Sequence, residues 1–471
     1  MSTDPDYDDK ESLKELLKQY NNLRTGAKSG FLEEESFEKI IDYFDDQEEI
    51  AKALEAANIS IEYFPFSAAL LLRKADLLLA SRKYYEALHI LEKAELLDAN
   101  DVTLYILKTD AYLALDMQAK AVALLEEAIN LFDGENKIEL LFELADVYDD
   151  HEEFDKVFDC LKMVLDEDAT NEEALYKICF WTDFTGRNEE SIRLHLKIID
   201  EYPYNELAWF NLGAAYQGIK LYEKAIDAYQ YATTIDEKFD YAYRNIGDAF
   251  IRLRQYKEAI EALEKVLELS KPEEVIYEAI GHCYDRLRNY AQARFHYRKA
   301  SHLNPDDSKL LYKIACTYYN EEQYTSAVKI LENALKIHRL QPEYNLLMGE
   351  CKLQQQSYKE AVQYFSTVVR VRPKNISGWE ALIRCLYQAG YFSEAKVQAT
   401  AALKHTNTNA IFLFYLSASL FALGKAKNGL LYLEKAMQRA PKKLKNFIAL
   451  NPSILQNTRV VDVIAQYKRK R

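Results

Sequence analysis

Glycine and proline are scarce in this 471-residue chain, 13 and 9 in all, which argues against collagen-like, loop-rich and low-complexity architectures. The six cysteines (160, 179, 283, 316, 351 and 385) lie far apart with no Cys-x-x-Cys pair. That spacing disfavours a disulfide framework or a zinc ribbon and suits buried thiols in a reducing compartment. The longest apolar stretch, AIFLFYLSASLFALG (410–424), contains two serines and falls short of the roughly 18 residues a membrane span needs. The N-terminal segment MSTDPDYDDKESLKEL is acidic and has neither the basic start nor the apolar run of a signal peptide. A cytoplasmic protein without a membrane span is therefore expected. Catalytic signatures are missing as well: there is no Gly-x-Gly-x-x-Gly, Walker loop, His-Glu-x-x-His or Gly-x-Ser-x-Gly. The pair His282–Cys283 does not make a metal site by itself, because helix neighbours point about 100° apart.

What the chain does have is core-forming residues, 49% hydrophobic against 29% charged, enough for a folded protein. Its net charge of −15 conceals a gradient. Residues 1–200 carry 47 acidic and 21 basic residues (47 − 21, net −26), whereas residues 401–471 carry 2 and 13 (13 − 2, net +11).

The chain also repeats itself. QYKEAIEAL at 255–263 returns as SYKEAVQYF at 357–365, and intermediate copies fall at 34-residue steps: Tyr222, Tyr256, Tyr290, Tyr324, Tyr358 and Phe392. Three residues after each stands a small residue, from Ala225 to Ala395. Ahead of these columns runs Trp209, Leu212, Gly213 and Tyr216, answered by Tyr243, Ile246, Gly247 and Phe250. Such spacing gives a first helix one apolar face, and small residues there admit a partner helix. A turn marked by Gly186, Gly390 or Gly424 in some units leads to a second helix, and prolines such as Pro203, Pro305 and Pro373 close several units.

An aromatic, a Leu-Gly pair, Tyr, then Ala, Tyr or Phe, Ala and Pro over 34 residues resembles the tetratricopeptide repeat. The resemblance implies an all-α fold, a right-handed α-solenoid (superhelix) of antiparallel helix pairs. Twelve units are expected. Residues 1–33 read as an acidic tail and a capping helix; 34–137 as degenerate acidic repeats; 138–205 as loosely matching repeats after a two-residue insertion near DGEN (133–136). Residues 206–443 hold seven clear repeats, and 444–471 read as capping helices with a basic tail, where Val460, Val463, Ile464 and Tyr467 form a stripe. The ends of a stack need such covers.

The repeats leave no room for a catalytic domain, so function is expected on the helix faces that do not repeat. In the family, the side of the first helix opposite its core column lines a concave groove that holds extended peptides. Three groups fall there. Asp42, Asp76, Asp110 and Asp146 share one column of four successive units, with Glu38, Glu143, Asp149 and Asp150 nearby. Such a row would attract a basic segment, or would simply keep the surface soluble. Asn211 and Asn245 share the next column, with Phe210, Arg244, Asp248 and Arg252 beside them, and an amide can pair with one peptide group of an extended ligand. A more basic, aromatic patch follows, formed by His282, Arg286, Lys309, Tyr312 and Lys313. The family's carboxylate clamp for chaperone tails is not matched: Asn245 is preceded by Phe210 and Ala214 and followed by Val275 and Ala279. Last, Ile411, Phe414, Tyr415 and Phe421 are apolar on the groove side, to be covered either by the terminal helix or by a partner.

The reading that results is a non-enzymatic scaffold or adaptor without cofactor or metal, binding an extended segment of a partner protein. A peptide-responsive sensor whose superhelix changes shape is the alternative. An RNA-binding helical repeat ranks below both, because a net charge of −26 over residues 1–200 opposes a polyanion. The tail YKRKR (467–471) is either a solvated end or a contact for RNA, lipid or an acidic protein, and pairing of the basic end of one molecule with the acidic end of another would make a homo-oligomer.

Overall fold

The computed structural model describes residues 5–25, 31–407 and 409–469. Residues 1–4 of the acidic tail and the last two of YKRKR lie outside the described residues. Among those described there is no strand. Twelve helix pairs follow one another from Glu34 to Arg439, and within each of two compact units successive pairs pack on one another. The fold is an all-α solenoid of antiparallel helix pairs. Two compact units divide after Glu237.

From Glu172 onward the first helices of the pairs begin every 34 residues, at Glu172, Glu206, Asp240, Glu274, Ser308, Pro342, Ile376 and Ala410. Local chemistry fixes these starts. Ser67, Asp101, Asn171, Asn205, Asp307 and Asn375 each precede a first helix and accept a backbone N–H from its opening turn, satisfying one of the amides that a helix start leaves unpaired. The insertion at 133–136 is absorbed by a longer first helix, Gly134–Asp150, whose start precedes the expected 138. Glu167 holds the added turn, accepting from the Gly134 amide at 3.1 Å and from Lys137 Nζ at 2.7 Å.

Except at Gly186, where only the left-handed residue is kept, the turn inside each pair is the same. One residue enters the left-handed region, and the next amide bonds the carbonyl five positions back, as Leu221 does to Tyr216. Glycine occupies that position only at Gly186, Gly390 and Gly424; elsewhere it is a residue such as Lys220 (φ 63°) or Arg254 (φ 62°). A side chain there costs roughly 1–2 kcal/mol, against roughly 0.5–1 kcal/mol of extra chain entropy for glycine. Arg254→Gly is therefore expected to stabilise the protein by about 0.5–1 kcal/mol, read as a higher urea midpoint, whereas the control Arg252→Gly, inside the helix, lowers stability by about 1 kcal/mol.

Two further columns explain why the repeat keeps its composition. The fourth residue of a first helix reaches back six residues to the end of the preceding unit. Trp209 Nε1 donates to the Pro203 carbonyl at 2.9 Å, Trp379 Nε1 to Pro373 at 2.8 Å, Tyr105 Oη to Ala99 at 3.1 Å and Asn345 Nδ2 to Arg339 at 3.0 Å. Different side chains thus satisfy the same carbonyl, which would otherwise lack a helical partner. The glycine column is a close approach: a Cβ on Gly213 would lie 2.6 Å from the Tyr229 ring, and one on Gly349 2.5 Å from Phe365. Where the glycine position holds a large residue, Ile383, its counterpart 16 residues on is Ala399, and both are fully buried in one cluster.

The ends are covered. In the first unit Tyr20, from helix Pro5–Arg24, is buried in one core with Phe37, Ile40 and Phe44. In the second, helix Leu444–Leu450 folds back so that Phe447 sits 6.0 Å from Phe414 and 6.4 Å from Phe421, ring to ring. Ile411, Phe414 and Tyr415 are buried; of the two covers considered for them, the chain itself supplies one. Val460, Val463 and Ile464 from helix Thr458–Arg469 join the same core.

Candidate functional site

In the first unit the carboxylate column stands as a run of electrostatic neighbours. Asp42 pairs with Arg73 at 3.3 Å. Partial loss of hydration raises the carboxyls of Asp76 and Asp110 above their ordinary range, and nearby carboxylates reinforce it, Asp45 from outside the column acting on Asp76 and Asp76 on Asp110. Glu143, half-buried, is pushed up to about 7, by burial first and then by Asp110, Asp146 and Glu139. Asp146 has a cation 4.0 Å away, Lys177 Nζ, and burial still raises its carboxyl.

The column does not end at Asp146. Its next position, 34 residues on, is Phe180, which lies between Tyr176 and Phe184 on helix Glu172–Thr185. These three rings sit one turn apart and are 63%, 60% and 57% exposed. Trp181 and Phe154 join them: Phe180 meets Trp181 edge-on at 5.0 Å, and Phe154 meets Phe184 at 4.8 Å. The i, i+4, i+8 spacing was available in the sequence, but aromatics are so abundant in the packing columns that this outward stripe does not stand out from them.

Asn211 does not occupy the groove position expected of it. It is 3% exposed, and its amide Nδ2 donates to the Leu175 carbonyl at 2.7 Å and meets His195 Nε2 at 3.2 Å. His195 is fully buried, with Nδ1 2.8 Å from the Ser191 carbonyl. That geometry assigns the proton to Nδ1 and leaves Nε2 to accept from Asn211. Burial holds the His195 imidazole down to about 4, so it is neutral. The physical reason for the misplacement is that helix Glu206–Gly218 packs against both helix Asn188–Glu201 and helix Glu172–Thr185, so it has a second buried flank where a single-faced helix would meet water.

The remaining candidates belong to the second unit. Arg244 is held by Glu273 at 2.9 Å and lies 5.8 Å from the Tyr241 ring. Asn245 is half-buried, and Asp248 pairs with Arg252 at 3.5 Å. Around His282 the structure gathers Tyr256, whose ring is perpendicular to the imidazole at 6.4 Å, and Arg286, 5.5 Å from the Tyr256 ring. Lys313 pairs with Glu278 and lies 5.8 Å from the Tyr297 ring. Burial, then Lys313 and Arg286, lowers the His282 pKa. Asp285, between His282 and Arg286 in sequence, has a buried Oδ1 with no hydrogen-bond partner among the described residues. Tyr312 stacks on Tyr344 at 5.1 Å, and Lys309 is exposed. The arrangement is a cationic and aromatic surface with carboxylates set into it, suited to backbone and carboxylate groups of a ligand.

All six cysteines are free thiols, and burial pushes Cys283 up to about 12 and Cys316 to about 11. Among the described residues no group of metal-ligating side chains comes together, and no helix is long and apolar enough to cross a membrane.

Comparison with known proteins bears on the fold. Residues 213–347 match the model of the tetratricopeptide repeat protein 21 C-terminal ARM domain, and residues 342–375 match a tetratricopeptide repeat model. No curated protein matches the chain. Similar solved structures include YrrB, described as a TPR protein with an unusual peptide-binding site (18% identity over 40% of this chain and 96% of that one, TM-score 0.36). Another is the APC/C hetero-tetramer Cut9–Hcn1 (13%, 83% and 97%, 0.35). A third is the C-terminal part of a TPR repeat-containing protein from Cytophaga hutchinsonii (16%, 54% and 99%, 0.44). Tetratricopeptide-repeat models are thus matched along residues 213–375, and the same helix pairs and left-handed turns run on either side of that stretch, so the chain is built as a helical repeat of the tetratricopeptide type.

Proposed function

We propose that this protein is a non-catalytic scaffold that binds an extended segment of a partner protein along the outward faces of its first helices. The observation that carries the reading is a division of labour among positions. The repeating columns are consumed by packing, caps and turns, while non-repeating positions of the first helices such as Asp110, Phe180 and Arg286 stay at the surface and change chemistry along the chain. They run from carboxylates to exposed rings in the first unit, and hold the cations Arg286 and Lys309 beside His282 in the second. A surface that varies along a constant frame is what selective recognition requires.

The test uses the second unit, where both changed residues are exposed and their loss leaves the core intact. Arg286→Ala with Lys309→Ala is expected to lose most of the partner captured by the wild-type protein from native lysate, with unchanged helicity by circular dichroism. Capture of the same proteins in the same amounts would remove the reading.

A further inference from the structure

We propose that the aromatic stripe Tyr176–Phe180–Phe184, with Trp181 at its side, docks an arginine-bearing extended segment of a partner protein. This rests on the scaffold reading above and names the chemistry of one of its surfaces. Rings more than half exposed at three successive turns of one helix form a contiguous apolar face that soluble proteins rarely leave to water. The occupant follows from charge. The stripe comes next in the column after Asp42, Asp76, Asp110 and Asp146, its own helix carries Glu172, Glu173 and Asp183, and residues 1–200 are net −26 (21 − 47). Lys177 already serves Glu173 and Asp146, but the helix still carries those three carboxylates against that one cation, so an acidic segment would add to a negative surface and a cationic one would offset it.

The same repeat already shows the pairing within the chain. Arg187 Cζ lies 4.2 Å from the Phe158 ring while its Nη2 reaches Asp159 at 2.7 Å and Glu190 at 2.6 Å. Lys177 Nζ is 4.9 Å from the Phe142 ring, 2.8 Å from Glu173 and 4.0 Å from Asp146. A guanidinium suits the stripe better than an ammonium, because its planar face stacks on a ring while its edge donors reach carboxylates.

The probe is a fluorescein-labelled Arg-Gly repeat peptide, titrated into the full-length protein at low and at physiological salt, with a Glu-Gly repeat peptide as the control. The Arg-Gly peptide is expected to bind and to change the Trp181 emission, and the Glu-Gly peptide to do neither. Phe180→Leu with Phe184→Leu, which keeps apolar bulk and net charge but removes the ring faces, is expected to weaken binding about tenfold without moving the denaturation midpoint. Asp146→Asn with Asp183→Asn is expected to weaken it and flatten its salt dependence. Binding unaffected by the leucine pair would show charge alone at work and overturn the proposal, as would no binding by the wild type. Stripe-dependent self-association in sedimentation at low salt would also overturn it, naming a second copy as the occupant. If the Arg286→Ala, Lys309→Ala protein loses its partner while the peptide ignores the ring variants, this proposal fails and the scaffold reading stands.

Discussion

Gly349→Ile is expected to destabilise the second unit by about 3 kcal/mol, near the upper end for overpacking a tight core, because even a Cβ at that position would lie 2.5 Å from the ring of Phe365, which is fully buried. Phe365→Ala alone is expected to cost about 3–5 kcal/mol by leaving a cavity. Combined, the two changes should cost less than their sum by about 2 kcal/mol, since each relieves the defect the other creates. The chain contains the reciprocal arrangement one repeat later, where Ile383 and Ala399 occupy the same two positions. Urea midpoints of the four proteins give the coupling energy; strict additivity would mean that the glycine column is not set by the ring facing it.

The second large effect falls on a residue that sequence reasoning assigns to ligand binding. Asn211→Leu is expected to lower stability by about 2 kcal/mol, because it leaves the buried His195 Nε2 without its donor and removes the bond that the Leu175 carbonyl accepts in addition to its helical one. His195 adds a pH signature. Its pKa is about 4 in the folded chain against the ordinary 6.5, so between those values the unfolded chain binds the proton and the folded one does not. Its contribution to stability is complete above pH 6.5 and is lost as the pH falls towards 4, by about 1.4 kcal/mol per unit. Glu143, raised to about 7, acts with the opposite sign over part of that window, its folded form retaining a proton the unfolded form gives up. The difference between wild type and His195→Leu therefore isolates the histidine. Leucine is the residue at the equivalent positions 161, 263 and 331, and the variant is expected to be less acid-sensitive than wild type; identical pH profiles would contradict a neutral, buried imidazole.

Much of the frame is legible in the sequence because its signals are local. The aromatic and small-residue columns, the Gly213 column and the 34-residue spacing each act within a helix or between adjacent helices. What the sequence does not disclose depends on the third dimension. Asn211 and Asn245 share a column, yet Asn211 is buried by a flank that exists only once a neighbouring pair is stacked, whereas Asn245 keeps partial exposure. Phe180 reads as one more core aromatic until its column is followed back to Asp146 and its exposure is seen. The left-handed turns at Lys220 and Arg254 are equally silent, since only three of the twelve carry the glycine that would mark them.

The central claim is that recognition lies on the outward face of the first helices and that the second helices serve packing. Hydroxyl-radical footprinting of the protein with and without its captured partner tests this directly, because exposed rings on both kinds of helix report separately. Tyr176, Phe180 and Tyr241, 63%, 60% and 61% exposed on first helices, are predicted to lose reactivity in whichever unit the partner occupies. Tyr85 and Phe295, 69% and 52% exposed on second helices, are predicted to keep theirs. Protection of Tyr85 or Phe295 with full reactivity at Tyr176, Phe180 and Tyr241 would contradict it.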